Sequence, residues 1–185
     1  NHNKYKGWHK TIISSDKDFF QLCREDVSIY RPIQKKVMTK DSIINEFKIH
    51  PKNFALARAM AGDASDNLPG IRGAGLKTIA KRFPYLVRED EYEVSDIIRD
   101  CAMQAKKLKI HENIQTGETL IKENYKIMQL YYPNIRPLNR QLITKAVNDF
   151  DPYFDKIKFT QMLFDDDAGH LNFDALQYIL RSIKR

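Results

Sequence analysis

The sequence of 185 residues has few cysteines and no long apolar run. Cys23 and Cys101 are too few for a disulfide framework, so we expect a reducing, cytoplasmic compartment. Because no run of about 18 apolar residues is present, the sequence predicts neither a membrane-spanning helix nor a membrane partner. No repeat, low-complexity segment or signal-peptide pattern is visible, and the histidines lack the spacing of metal ligands.

Positive charge exceeds negative charge along the chain. Lys and Arg number 31 against 24 Asp and Glu, which gives a formal net charge of +7. This balance favours an anionic partner, and nucleic acid fits better than a membrane surface. A hydrophobic content of 42% is compatible with a globular protein and argues against disorder. Charge alone is also compatible with a basic protein that has no such partner.

The stretch at residues 61–83, AGDASDNLPGIRGAGLKTIAKRF, carries two kinds of chemistry. In its first half, Asp63 and Asp66 stand three residues apart, so at a helix end they share one face. Its second half is a Gly-rich turn, residues 69–75, that opens a predicted helix at residues 76–83. Backbone N–H groups in such a turn can approach an anion closely, and the helix start favours negative charge. A carboxylate pair beside a phosphate-binding turn predicts a metal-dependent enzyme acting on a polyphosphate.

Simpler readings of the same residues have to be considered. Gly70 and Gly75 have P-loop spacing, but Leu76 separates them from Lys77-Thr78 and no apolar strand precedes the turn. The carboxylates can serve as helix caps, and a lone GxG is most often an ordinary helix–helix turn. The occurrence of both halves within so few residues favours the functional interpretation.

A second block of carboxylates follows a predicted buried strand at residues 11–14. Asp16 and Asp18 stand at the carboxyl end of this strand, where open α/β sheets place their ligands. Ser15 or Asp16 can cap the helix that follows.

Together the two blocks resemble the structure-specific 5′ nucleases. The family pattern GDxSDN followed by PGxxGxGxKT stands at residues 62–78, and the pattern S/T-x-DKD stands at residues 14–18. This family includes phage 5′→3′ exonucleases, flap endonucleases and the 5′ nuclease domain of bacterial DNA polymerase I. The match covers about the first half of the chain, which resembles the carboxyl-terminal portion of such a protein.

The resemblance implies an α/β nuclease (PIN-like) sheet remnant followed by a mostly α-helical region with a helix–three-turn–helix motif. The expected domains are residues 1–50, the end of the α/β nuclease domain, and residues 51–185, a helical domain. Within the second, the DNA-binding unit is expected at about residues 61–84, with a helical tail behind it.

The resemblance also implies the site residues. Catalysis and a second Mg²⁺ or Mn²⁺ are expected at four carboxylates: Asp16, Asp18, Asp63 and Asp66. Contacts to DNA are expected from Arg72, Gly73, Gly75, Lys77, Thr78 and Lys81, and a K⁺ ion from the backbone carbonyls of Ile71 and Ala74. Phosphodiester hydrolysis at neutral pH needs a hard cation, and carboxylates are its usual ligands.

The implied activity is that of a 5′→3′ exonuclease or flap endonuclease. It would hydrolyse DNA or RNA–DNA phosphodiesters near 5′ ends during replication or repair, in the bacterial host cytoplasm if the protein is phage-encoded. Expected partners are double-stranded, flap or branched DNA without sequence preference, and replication proteins. The first-metal carboxylates and the arch of the family belong to an amino-terminal portion that precedes these motifs, so we expect little cleavage by this chain alone. The alternatives are a non-catalytic duplex-binding module and, on the imperfect P-loop only, a nucleotide phosphotransferase.

Elsewhere the sequence predicts further elements from periodicity. A half-buried, alternating strand is predicted at residues 27–30 and a buried helix at residues 54–61. Further helices are predicted at residues 94–109, 117–132, 138–150, 152–164 and 172–183. Asp165, Asp166 and Asp167 with Gly169 lack the glycine offset and closing Glu of an EF-hand, so they are interpreted as a helix-to-helix turn.

Overall fold

The computed structural model describes residues 5–105, 108–130, 135–150 and 155–168, together with positions 172, 174–176 and 178. Its sheet contains β1 (Lys10–Ile13), β2 (Val27–Arg31) and β3 (Lys36–Met38) in the order β1-β2-β3. β1 pairs parallel to β2, with Thr11 opposite Ser28. β2 pairs antiparallel to β3, with Ile29 opposite Met38.

The predicted alternation of β2 is wrong. Val27, Ser28 and Ile29 are all buried, because β2 is the central strand and is covered on both faces. β1 is as predicted to within one residue.

Helices make up most of the remaining described chain. α1 (Lys40–Phe47) begins at Thr39, whose side chain forms a capping box with Ser42. The other helices are α2 (Phe54–Ala61), α3 (Leu76–Arg82), α4 (Val94–Met103), α5 (Lys109–Thr116), α6 (Glu118–Met128), α7 (Pro137–Asp149) and α8 (Lys156–Asp165). Short 3₁₀ turns cover Lys17–Leu22, Pro51–Asn53, Ala64–Asp66 and Pro84–Val87. Within the ranges given above, no helix has the length and apolarity needed to cross a membrane.

The helix predicted at residues 94–109 is shorter than expected, and the helix at Lys109–Thr116 was not predicted. α4 ends at Met103 because Gln104 takes an extended conformation (φ −62°, ψ 121°), and α5 begins only at Lys109. His111 and Ile114 on α5 are buried, with the His111 ring beside Phe83. The predicted helix end at Lys106-Lys107 and most of the predicted helix at residues 172–183 lie outside the described residues.

The chain divides into two compact units, Asn1–Asn139 and Arg140–Arg185. In the first unit one apolar core joins the sheet to the helices, and its aromatic centre is formed by Phe20, Phe47 and Phe54 with ring centroids 5.3 to 5.8 Å apart. In the second unit several large apolar side chains of α8, among them Ile157 and Met162, are exposed. The predicted domain boundary after residue 50 remains a prediction, since residues on both sides of it share this core.

Candidate functional site

The first carboxylate turn follows β1 directly. Asp16 caps the 3₁₀ helix Lys17–Leu22, and its Oδ1 accepts a hydrogen bond from the Asp18 N–H at 2.8 Å. Arg31 on β2 fixes the same turn by donating from Nη2 to the Ser15 carbonyl at 3.1 Å. Asp16 is exposed, whereas Asp18 is partly buried. The predicted cap at Asp16 is therefore confirmed, on a 3₁₀ helix.

The second carboxylate loop follows α2 and closes on itself. The backbone of Asp63 exchanges two hydrogen bonds with Leu68, each 2.8 Å long, so residues 63–68 form a compact loop. Asp63 caps the 3₁₀ turn Ala64–Asp66 and accepts hydrogen bonds from Ser65. Asp66, on the same turn, is exposed. The loop thus fixes Asp63 and leaves Asp66 at the surface.

Arg58 on α2 joins the two turns. Its Nε donates to Asp18 Oδ1 at 3.0 Å, and its Nη2 donates to Asp63 Oδ2. The residue is only 7% exposed, in a helix of otherwise small and apolar side chains. Sequence reasoning missed Arg58; the available signal was a single charged residue in the buried pattern FALARAMA.

The electrostatics of the two carboxylates differ although they share one partner. Burial raises the pKa of Asp18 above its usual value, and the hydrogen bond from Arg58 only partly opposes this. Hydrogen bonds from Ser65 and Arg58 lower the pKa of Asp63 to about 2. Burial disfavours charge on Arg58, but its hydrogen bonds to Asp63 and Asp18 outweigh that effect and raise its pKa.

These carboxylates fit a cation in part. Asp18 and Asp63 converge on one positive group, and Asp16 lies beside Asp18, so the donor chemistry suits a divalent ion. Across the described ranges, however, no three His, Cys, Asp or Glu side chains are arranged as a metal site. The structure therefore unites Asp18 with Asp63 through Arg58 and does not gather all four predicted carboxylates.

The Gly-rich turn packs directly against this loop. A Cβ on Gly70 would lie 1.9 Å from the Ala61 carbonyl oxygen, and one on Gly62 would lie 2.3 Å from the Gly70 nitrogen. Gly62 also has φ +75° and ψ 176°, a backbone region open almost only to glycine. The Ile71 N–H donates to the Met60 carbonyl at 2.8 Å. The close backbone packing therefore fixes the turn relative to Asp63.

Gly73 and Gly75 have open surroundings, unlike Gly62 and Gly70. A Cβ at either position would meet no atom within 4 Å, so packing inside the chain does not require glycine there. Gly73 has φ +85°, which favours glycine, but Gly75 has an ordinary φ of −66°. The space beyond Gly75 leaves the backbone open to an outside group. Of the other predicted DNA contacts, Arg72, Lys77 and Lys81 are exposed and Thr78 is partly exposed.

Two asparagines anchor the backbone of the turn through hydrogen bonds. Asn124 on α6, 2% exposed, donates to the carbonyls of Ala59 (3.0 Å) and Pro69 (2.8 Å). Asn113 on α5 donates to the Arg72 carbonyl at 3.1 Å. These residues carry no sequence signal, because the bonds join positions 41 to 65 residues apart. They make the turn rigid where it faces solvent.

The residues predicted to hold K⁺ lie at the base of the turn. Ile71 and Ala74 are buried, and the Ile71 carbonyl accepts a hydrogen bond from the Ala74 N–H at 2.9 Å. A carbonyl oxygen has two lone pairs, so this bond leaves one for a cation. The K⁺ assignment remains a prediction.

A strand end bearing carboxylates, joined to a second carboxylate loop and a rigid, basic Gly-rich turn, defines an α/β protein suited to phosphate esters. No family model matches the sequence. A 5′-3′ exonuclease of Aquifex aeolicus is 41% identical over 73 residues, which are 40% of this chain and 25% of that protein. A DNA polymerase I of Rhizobium leguminosarum is 35% identical over 104 residues, 56% of this chain and 10% of that protein. The chain thus spans a quarter or less of these relatives, and the resemblance inferred from the two motifs is confirmed.

Solved structures of a bacteriophage T5 enzyme share the fold. One is T5 5′-exonuclease with bound divalent metal ions (zinc), which matches 65% of this chain and 42% of its own, with a TM-score of 0.53 and 24% identity. Another, with the same values, is the T5 D15 flap endonuclease in a pseudo-enzyme–product complex with DNA and metal ions. At this identity the likeness establishes the fold alone. The predicted PIN-like sheet remnant followed by a helical region is therefore confirmed.

Proposed function

We propose that the chain is part of a divalent-metal-dependent 5′ nuclease that cleaves DNA or RNA–DNA near 5′ ends. The observation that carries this proposal is the backbone packing of Gly62 against Gly70. It places a carboxylate loop and an open, basic turn side by side. The names of the relatives, and the DNA and metal ions in the T5 structures, support the same function.

In this proposal the carboxylates hold the metal. Asp18 and Asp63 would be the central ligands, with Asp16 beside Asp18 and Asp66 as the fourth carboxylate. Mg²⁺ or Mn²⁺ bound there would supply a Lewis acid for phosphodiester hydrolysis. Mg²⁺ usually keeps several waters, so incomplete protein ligation is compatible with it.

The turn holds the substrate. Arg72, Lys77 and Lys81 would neutralise phosphates of a duplex, and Gly73 and Gly75 would let the backbone approach closely, with Thr78 beside them. Because phosphate contacts carry no sequence information, binding would be independent of sequence. α3 has only seven residues, so its dipole adds little and the side-chain charges dominate. K⁺ at the Ile71 and Ala74 carbonyls would stiffen the turn further.

The biological setting is part of the same proposal. Flap or branched DNA would be the substrate in replication or repair, replication proteins would be partners, and the cytoplasm would be the compartment.

A second function, duplex binding without cleavage, is favoured by one observation. Arg58 already neutralises Asp18 and Asp63, and the described part of the chain gathers no three acidic ligands. In that case the turn would bind DNA and the carboxylates would only be structural.

A cleavage assay separates the two functions. We expect a longer polypeptide, in which this chain is extended to the length of its relatives, to cut a 5′-flap duplex with Mg²⁺ and not with EDTA. The 185-residue chain should shift the same duplex in a gel and cleave it feebly. A two-metal displacement stabilises both the attacking and the leaving oxygen, and the carboxylates of the first metal are expected outside the two motifs of this chain. Binding without metal-dependent cleavage by the longer polypeptide would leave the duplex-binding function.

A further inference from the structure

Arg58 has no part in the nuclease function proposed above, yet it is the most deeply buried charge at the site. A guanidinium in this position is stable only when it is paired and hydrogen-bonded. α2 provides no partner of its own, since Phe54–Ala61 contains no acidic residue. The partners that neutralise the Arg58 charge must therefore come from outside α2.

The partners of Arg58 come from two different turns. Asp18 follows β1 and lies 40 positions away, whereas Asp63 lies five positions away in the loop after α2. Two separate guanidinium nitrogens are used, one for each carboxylate. Without a cation between them, Asp16, Asp18 and Asp63 would repel one another.

We propose that Arg58 is a built-in counter-ion that occupies the place of the divalent ion in the metal-free protein. On this proposal, which rests on the proposed metal site, Arg58 keeps the two carboxylate turns together before metal binds. The incoming ion must displace its guanidinium from Asp18 and Asp63. Arg58 is thus a positioning residue that weakens metal affinity and stabilises the empty site.

The test measures metal binding and stability, without DNA. Calorimetry with Mn²⁺ is expected to give millimolar affinity for the wild type and at least about tenfold tighter binding for Arg58→Met, because a competing positive charge is gone. Arg58→Met should melt at a lower temperature without metal, and Mn²⁺ should restore more of its stability than it adds to the wild type. Arg58→Lys should return the affinity towards the wild-type value.

Arg99→Met is the matched control. Arg99 is an exposed residue on α4 that pairs with Asp96, so its replacement makes the same change in net charge without removing a partner of either carboxylate turn. Its Mn²⁺ affinity should equal that of the wild type. Equal or weaker Mn²⁺ binding by a folded Arg58→Met would overturn the counter-ion role and leave the metal site standing. No binding by any of these variants would overturn both.

If Arg58→Met does not fold, the wild type itself gives the answer. The Arg58 Nε–H donates to Asp18, so its proton resonance in NMR reports the ion pair. Saturating Mg²⁺, which is diamagnetic, should shift this resonance and speed its exchange with water. A resonance unchanged at saturation would overturn the proposal.

Discussion

Gly70→Ala is expected to destabilise the first unit by about 3 kcal/mol, because its new Cβ would lie 1.9 Å from the Ala61 carbonyl oxygen. The atoms that this Cβ would meet belong to the backbone and cannot move aside as a flexible side chain would, so the turn has to move away from the end of α2. That movement would also break the 2.8 Å hydrogen bond from the Ile71 N–H to the Met60 carbonyl. A fall in melting temperature of about 10 °C, measured by calorimetry, corresponds to this loss.

Gly75→Ala is the matched control, since it adds the same methyl group to the same turn. Its Cβ would meet no atom within 4 Å and its φ of −66° suits alanine, so the melting temperature should not fall. Duplex DNA should nevertheless bind more weakly, and Gly75→Val should weaken binding further. Unchanged melting of Gly70→Ala would show that the turn does not rest on the carboxylate loop.

Asp63→Asn is expected to reduce metal-dependent cleavage by the longer polypeptide at least about 100-fold. Removing groups that only support a ligand already costs 10- to 100-fold, and Asp63 is itself a proposed ligand. The amide keeps the size of the side chain and can still accept from Ser65, so the loop should stay closed. Single-turnover cleavage of a 5′-flap duplex in Mg²⁺ gives the rate.

Glu89→Gln provides the control for charge, because Glu89 is an exposed acid whose pairing with Lys52 lies outside the site. Its cleavage rate should match the wild type, and circular dichroism should show that both variants are folded. A rate for Asp63→Asn within threefold of the wild type would remove Asp63 from the catalytic site and leave it as a helix cap.

Local patterns predicted much of the fold. Short windows of sequence predicted three elements: the strand before Asp16, the buried helix α2 and the turn before α3. In such windows the period of the side chains and the positions of the glycines determine the local structure directly. The carboxylate loop and the turn were predicted as neighbours because they are adjacent in the chain. Their close backbone contact is possible because Gly62 and Gly70 have no side chains. The resemblance to the family does not by itself explain this contact.

What the sequence did not predict depends on distant contacts. Arg58 finds Asp18 across 40 positions, and Asn124 reaches the Ala59 carbonyl across 65. Neither bond leaves a periodic pattern. Helix α5 was not predicted either, and its residues Ile114 and His111 are buried. Periodicity measures one helix face and does not show where tertiary packing ends a helix.

Duplex binding across a salt series tests the central claim most directly, that the turn at residues 70–78 grips the DNA backbone. Fluorescence anisotropy on two duplexes of unrelated sequence should give equal affinities that fall with salt, with a log–log slope of about −0.9 per phosphate contact. Lys77→Ala should weaken both equally and reduce the slope by about one unit, whereas Lys36→Ala on β3 should change neither. If Lys77→Ala leaves affinity and slope at their wild-type values, the turn only packs helices and the account is contradicted.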